Sequence, residues 1–230
     1  MDKTLRTYGI DLSPEQEELI IGHLQFVLEK NKELNLTHIR EPERALLLHV
    51  VDSLFVLPEV RQAPEGALLD MGSGAGYPGL PLAVVTQRNC TLLDAREKKV
   101  RVLQEFLQAH PALSYCEAVA GRAEEFALEH RGSFAIVIVR ALAALPSLLE
   151  LASPLLQQGG QLITLKGRLD QEEHKRAEQL REATGLCEYS HRAYTLPGGE
   201  HREVIVYEKM VPAQRDLPRR SGRAQRKPLA

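Results

Sequence analysis

Ala67-Leu68-Leu69-Asp70-Met71-Gly72-Ser73-Gly74-Ala75-Gly76-Tyr77-Pro78-Gly79 decides the fold. A short apolar run ends on alternating glycines and then meets a proline suited to the first turn of a helix. Gly72, Gly74 and Gly76 let the chain turn sharply and approach a ligand with no Cβ in the way. The helix expected from Pro78 to Thr86 would point its free N–H groups at the same crevice. A strand before and a helix after turn a common glycine cluster into a candidate nucleoside site.

Working outward, short apolar runs alternate with amphipathic stretches. Strands are predicted at Ala67–Met71, Cys90–Asp94, Tyr115–Val119, Phe134–Val139 and, after the Gly159-Gly160 break, Gln161–Leu165. Helices are expected near Glu97–Ala109, Arg122–His130, Leu145–Leu156 and Asp170–Thr184. Leu186–Thr195 and Glu203–Glu208 read as a hairpin turning at Pro197-Gly198-Gly199. Five β-α units and a hairpin imply an α/β domain with helices on both faces of a mostly parallel sheet, with the ligand crevice at the carboxyl ends of the strands. By analogy this is the class I S-adenosylmethionine-dependent methyltransferase fold, Rossmann-like and seven-stranded. Before it, Ser13-Pro14-Glu15-Gln16 makes a capping box that opens a helix with Leu19, Ile20, Leu24, Val27 and Leu28 at helical spacing. A second helix is expected from about Pro42 to Leu57, ending before Pro58. The divisions are therefore an N-terminal helical extension over 1–62, a methyltransferase domain over 63–212 and a basic tail over 213–230.

Asp94 ends the second strand, 22 positions beyond Gly72, where a carboxylate can accept both ribose hydroxyls of a nucleoside. Dinucleotide sites favour GxGxxG, whose third glycine permits close packing beneath a pyrophosphate. Here the loop is GxGxG with Asp70 in front, an acidic frame that suits the cationic amino group and sulfonium of S-adenosylmethionine. Further candidates follow the topology. Arg122-Ala123-Glu124-Glu125 follows the third strand, where Ala123 or Glu124 could read an adenine edge, although first-turn acids also favour the helix dipole. Arg140 and Lys166 end the fourth and fifth strands. Each needs an anionic or carbonyl partner there, which makes them candidates for positioning a substrate, with Arg122 a weaker one. His49 and Asp52, one turn apart, either brace the helix–sheet junction or line the site.

The bulk numbers exclude other classes. At 230 residues, 43% apolar and 26% charged, the chain can bury a core of ordinary globular type. Only 5% of residues are aromatic and Trp is absent, which argues against a multi-base stacking platform. Met1-Asp2-Lys3-Thr4 lacks the apolar region of a leader, and no run of about 18 apolar residues offers a membrane span. The chain thus reads as cytoplasmic, with no membrane partner. Cys90, Cys116 and Cys187 show no metal or redox spacing, and the eight histidines are scattered, so neither a metal nor a disulfide framework is expected. The net charge of −2 hides an asymmetry. From Arg215 onward six basic residues face one acid, so the tail carries +5 and the rest −7. Composition reads as a flexible polyanion-binding arm or a solvated end.

With these residues assembled, the chain resembles the ribosomal RNA small subunit methyltransferase G family, also called glucose-inhibited division protein B. The matching pieces are Asn35-Leu36-Thr37, His49-Val50-Val51-Asp52-Ser53-Leu54, the Asp70–Gly79 loop with Pro81-Leu82-Ala83, and Leu93-Asp94. Arg122-Ala123-Glu124, Arg140-Ala141, Gly160, Lys166-Gly167 and the tail Leu217-Pro218-Arg219-Arg220-Ser221-Gly222 with Lys227-Pro228-Leu229 continue the match. The resemblance implies methyl transfer from S-adenosylmethionine to N7 of one guanine in 16S rRNA or the small ribosomal subunit. It also implies donor contacts at Gly72, Tyr77, Ala123, Glu124 and Arg140. Ala95 stands where the family commonly has Ser, and Lys98-Lys99 where it often has Lys-Arg. Guanine N7 has a free lone pair, so alignment and not a general base is required, in keeping with the absence of an evident catalytic dyad. No Asn-Pro-Pro-Tyr motif for exocyclic amines is present, nor a Pro-Cys nucleophile for pyrimidine C5. A small-molecule methyltransferase and a non-catalytic RNA-binding assembly protein are the alternative readings.

Overall fold

The computed structural model describes residues 5–230; the Met1–Thr4 start, read above for a leader, lies outside the described residues. Strand β4 (Phe134–Arg140) shows how the domain is built. Ala135, Ile136 and Ile138 face one apolar cluster while Phe134, Val137 and Val139 face another, so the pleat feeds two cores. The same alternation splits Leu68 from Leu69 in β1 (Leu68–Met71) and Leu92 from Leu93 in β2 (Cys90–Asp94). With β3 (Cys116–Ala120), β5 (Leu156–Lys166), β6 (Leu186–Thr195) and β7 (His201–Lys209), these strands form one sheet in the order β3-β2-β1-β4-β5-β7-β6. All neighbours are parallel up to β5; β7 is antiparallel to both β5 and β6. The expected hairpin is present, with its second strand inserted between β5 and the first. The order reverses at β1 and β4, which puts the crevice at their carboxyl ends.

One face is covered by α5 (Gly79–Thr86), α6 (Glu97–Ala109) and the N-terminal helices. Helix α1 (Pro14–Leu34) begins at the predicted capping box, with Ser13 Oγ accepting from Gln16 N–H and Gln16 answering on Ser13 N–H. It buries Ile20, Leu24 and Val27 in the same cluster as Leu68 and Ile136. The N-terminal extension therefore shares the domain's core. The other face carries α7 (Ala123–Glu129), α8 (Leu145–Ala152), α9 (Gln171–Glu178), α10 (Arg181–Thr184) and α11 (Arg223–Arg226).

Three expectations change. The stretch from Pro42 is α2 (Pro42–Ala45), a π-helical Leu46–Val51 and α3 (Asp52–Leu54); Pro58 does not end it but lies in the first turn of a new helix, α4 (Leu57–Gln62). Gly159-Gly160 is no break: Gly159 takes φ 76 and the register shifts between Phe134 and Ile136, so β5 runs through a bulge. The tail is not a detached arm. Leu217 and Ala224 are buried, Ser147 Oγ donates to the Ala224 carbonyl, and Arg219 grips Glu150, an acid only 1% exposed, through both carboxylate oxygens. Burial of those two apolar side chains and pairing of Glu150 offset the order the tail must adopt, which composition does not reveal.

Helix α5 packs unusually close to β1. A Cβ on Gly79 would lie 2.5 Å from Asp70 Cβ and 2.7 Å from Leu92 Cδ2. Gly79→Ala is therefore expected to destabilise the protein by about 1–3 kcal/mol through overpacking, measured as a lower denaturation midpoint with unchanged slope.

Candidate functional site

The glycine loop is latched at both ends. Gly72 and Ser73 N–H both donate to the Leu93 carbonyl, at 2.8 and 2.9 Å, which ties the loop's start to β2. Asp94 Oδ2 accepts from Gly74 N–H at 2.9 Å and its Oδ1 from Arg96 N–H at 2.8 Å. Each oxygen keeps a further acceptor direction. Asp70, fully buried, accepts from Gly79 N–H at 2.7 Å. This revises the reading of α5: its first-turn donor is taken by Asp70, and Leu80 N–H goes to the Gly76 carbonyl. The helix start is thus sealed, unlike a dinucleotide's pyrophosphate cradle.

Beside the loop lies a pocket of about 50 Å³. Met71 and Gly72, then Leu93, Asp94 and Ala95, form one side; Gly121, Arg122, Ala123 and Glu124, at the start of α7, form another. Leu142 and Leu151 complete the body's share, and Gln225 of the tail closes it. Gly72 is needed as glycine here, because at φ +84 an added Cβ would sit 2.9 Å from Leu142 Cδ1. The Asp94 side chain beside apolar Leu142, Met71 and Ala95 is the set of groups a nucleoside requires: hydroxyls on Asp94, a flat ring against the hydrocarbon. Ser73 Oγ, buried in the loop, has no hydrogen-bond partner among the described residues, and Ser73 does not line the pocket.

Of the predicted contacts, the structure brings Gly72, Asp94, Ala123 and Glu124 to this pocket, and Gly74 reaches it through Asp94. Glu124 is already engaged, since its Oε1 accepts from Gly222 N–H at 2.6 Å. Asp70, Gly76, Tyr77 and Arg140 do not line it. Asp70 is spent on α5, and its acidity does not face the pocket. Gly76 faces the N-terminal helices, with its Cβ position 2.9 Å from both His23 Cε1 and Leu103 Cδ2. The Tyr77 ring is buried, stacked on His49 at 4.8 Å and beside His23 at 4.9 Å.

Arg140 and Lys166 have found their partners inside the chain. Arg140 Nη1 donates to the Leu48 carbonyl at 2.9 Å and to Asp52 Oδ2 at 3.2 Å. Asp52 Oδ1 also accepts from Arg202 Nε at 3.0 Å, so one buried acid bridges the ends of β4 and β7. That assigns Asp52 to the helix–sheet junction. Lys166 Nζ pairs with Glu173 Oε1 at 2.5 Å and donates to the Ala143 carbonyl. Arg122 is exposed at the pocket rim and holds no ion pair among the described residues. Between Arg140 and Leu142, Ala141 takes φ 54, a left-handed conformation costing a non-glycine residue about 1–2 kcal/mol. Sequence reasoning did not find Leu142 or Gln225, neither of which has a local motif; of the two roles it left open for Asp52, the structure shows the brace, with Arg140 and Arg202 as the partners.

Titration behaviour follows burial. Burial pushes Asp70 up to about 7; Gly79 N–H and the Arg140 charge oppose this and Asp94 adds to it. Burial first, then Arg140, holds His49 down at about 3, and burial with the neighbouring His49 does the same to His23. Both rings pack as neutral groups. Among the described residues no group of three or more His, Cys, Asp or Glu could hold a metal, and no helix is long and apolar enough to cross a membrane.

Comparison with known proteins decides the family. The family model for rRNA small subunit methyltransferase G matches residues 16–203. The chain belongs to this family. Ribosomal RNA small subunit methyltransferase G of Deinococcus radiodurans is 38% identical over 225 residues, covering 96% of this chain and 88% of that protein. The enzyme of the same name from Oenococcus oeni is 34% identical over 233 residues, covering 98% and 95%. Among solved structures, an O-methyltransferase from Bacillus cereus in complex with SAH superposes with a TM-score of 0.58 at 18% identity, over 82% of this chain and 91% of that one. That likeness shows the class I methyltransferase fold. The family's methyltransferase module therefore includes the latched loop and its pocket, and its model stops short of the tail that closes them.

The raised pKa of Asp70 sets a pH dependence. Below about pH 4 the group is neutral folded or unfolded; between about 4 and 7 the unfolded chain ionises and the folded one does not, so stability declines toward pH 7. Asp70→Asn keeps an acceptor for Gly79 N–H and removes this dependence. The variant is expected to melt with the parent near pH 4 and above it at pH 8, in thermal scans at both pH values.

Proposed function

We propose that this chain transfers a methyl group from S-adenosylmethionine to N7 of a specific guanine in 16S ribosomal RNA. The observation that carries the reading is the pocket at the carboxyl ends of β1 and β2, with Asp94 and Gly72 on its wall, in a member of a family described as rRNA methyltransferases. Asp94 would hold the donor's ribose, Leu142 and Ala95 its adenine, and the loop from Gly72 to Gly74 its amino-acid end. Bound there, the donor supplies an activated methyl on sulfur.

The chain's own part is placement. Guanine N7 needs no proton removed, and fixing it in line with the methyl can contribute up to about 7–11 kcal/mol in the best cases. The surroundings support this reading. His23 and His49 are packed and neutral, Asp70 is committed to α5, and among the described residues no base–nucleophile pair is assembled at the loop. Arg140 and Lys166, each held by an internal carboxylate, keep the ends of β4 and β5 rigid beside the site and are the candidates for positioning the base or its phosphate. An rRNA substrate places this work in the cytoplasm. Transfer of label from tritiated donor to small ribosomal subunits lacking the modification, followed by nucleotide mapping, is expected to yield N7-methylguanine at one position. Another product overturns the target assignment, and no product overturns the enzyme reading.

Beyond these two, RNA contact falls to cations that the fold leaves free. Arg220, Arg223 and Lys227 are exposed and hold no ion pair among the described residues, and their segment borders the pocket that Arg122 also rims. Since Leu217, Arg219 and Ala224 anchor the tail, removing it would strip buried contacts from α8; point substitutions leave them intact. Arg220→Gln with Arg223→Gln is expected to weaken RNA binding and to flatten the slope of log affinity against log salt by roughly one to two units. An unchanged slope, read from filter binding at several salt concentrations, excludes the tail as an RNA contact.

A further inference from the structure

The tail does more than pack on the body, because it contributes a side chain to the pocket. Gln225 lies on α11, opposite Asp94 and Ala123, and its exposed amide makes no hydrogen bond among the described residues. Its backbone is held firmly. Gly222 N–H donates to the buried Glu124, Ser221 Oγ to Glu125 at 3.0 Å, and the Ala224 carbonyl accepts from Ser147 at 2.9 Å. Arg219 adds its two-pronged grip on Glu150. Four attachments thus place one unengaged amide at the rim of a pocket whose volume, about 50 Å³, is small beside the roughly 300–1,000 Å³ of ligand sites.

We propose that Gln225 is a donor-binding residue that reads the edge of the adenine ring, so that the tail forms part of the donor pocket. A primary amide presents a donor and an acceptor side by side. Adenine presents their complement, the N7 acceptor beside the N6 amino group, and glutamine is a known partner for that edge. Besides hydrocarbon, the other side chains of the wall are the Asp94 and Glu124 carboxylates, the latter engaged with Gly222 N–H, and the Arg122 guanidinium; Gln225 supplies the side-chain amide that suits the base. A ligand that touches the docked tail must strengthen its docking by as much as the tail strengthens the ligand's binding. The donor would then also steady Arg220 and Arg223 on the same segment. Gln225 lies beyond the residues 16–203 matched by the family model.

This inference rests on the methyl-donor reading, and calorimetry separates the two. The probes are S-adenosylhomocysteine and its 7-deaza analogue, which lacks the N7 acceptor. Gln225→Ala is expected to weaken S-adenosylhomocysteine about tenfold, and the analogue distinctly less. S-adenosylhomocysteine should also slow tryptic cleavage after Arg220 and Arg223 in the unaltered protein, followed by mass spectrometry, and should not do so in the variant. Equal binding of S-adenosylhomocysteine by protein and variant overturns the role of Gln225 while leaving the donor reading in place. An equal loss for both probes overturns the edge-reading contact. No binding by the unaltered protein overturns both readings together.

Discussion

Two acids, Asp70 and Asp94, lie at the carboxyl ends of adjacent parallel strands, one residue before the end of β1 and at the end of β2, and between them hold the loop on which the site depends. Asp94 takes Gly74 N–H and Asp70 takes Gly79 N–H, so the loop is bound to β2 at its middle and to β1 at its end. Their environments divide the labour. Asp94 is partly exposed and keeps capacity for a ligand, whereas Asp70 is wholly buried and is pushed up to about 7 by that burial. The cost of burying Asp70 is tolerated because its hydrogen bond seals the start of α5. The close seating of Gly79 against Asp70 and Leu92 follows from the same contact.

A second constraint joins the N-terminal helices to the sheet. Asp52, 2% exposed, accepts from Arg140 and Arg202, and Arg192 makes two bonds to Glu59, so the ends of β4 and the β6–β7 hairpin are both fastened to the helical segment. Removing one partner of such a pair strands a buried charge, which typically costs about 3–5 kcal/mol. The helices read from sequence as an extension are thus a wall of the domain, and the strand-end arginine and lysine are electrically satisfied before any substrate arrives.

The fold was legible because its signals are local. The β-rich run Phe134–Val139, the capping box at Ser13 and the GxGxG loop each announce an element within a few residues, and alternating elements leave few topologies. Element ends were less legible: Gly159 reads as a break, yet its pairing with β4 through a bulge carries the strand on, and Pro58 starts a turn of helix where it was expected to end one. Among site residues, Gly72, Asp94, Ala123 and Glu124 follow from topology and meet at one pocket. Tyr77 and Gly76 follow from the same loop but turn to His23 and His49, since which way a loop residue faces is settled by distant helices.

By itself the sequence determined the order of strands and helices, the glycine loop with its acid 22 positions on, and the family to which they belong. These are matters of spacing and backbone permission, carried by neighbours along the chain. Only the tertiary structure decided that Arg140 meets Asp52, 88 positions away, and that Lys166 meets Glu173. It also decided that a basic, arm-like tail lies folded against the pocket with Gln225 on its wall. A buried charge takes whichever opposite charge the fold brings within reach, and a tail docks where two apolar side chains and one buried acid can receive it; neither choice is encoded in any single stretch of residues.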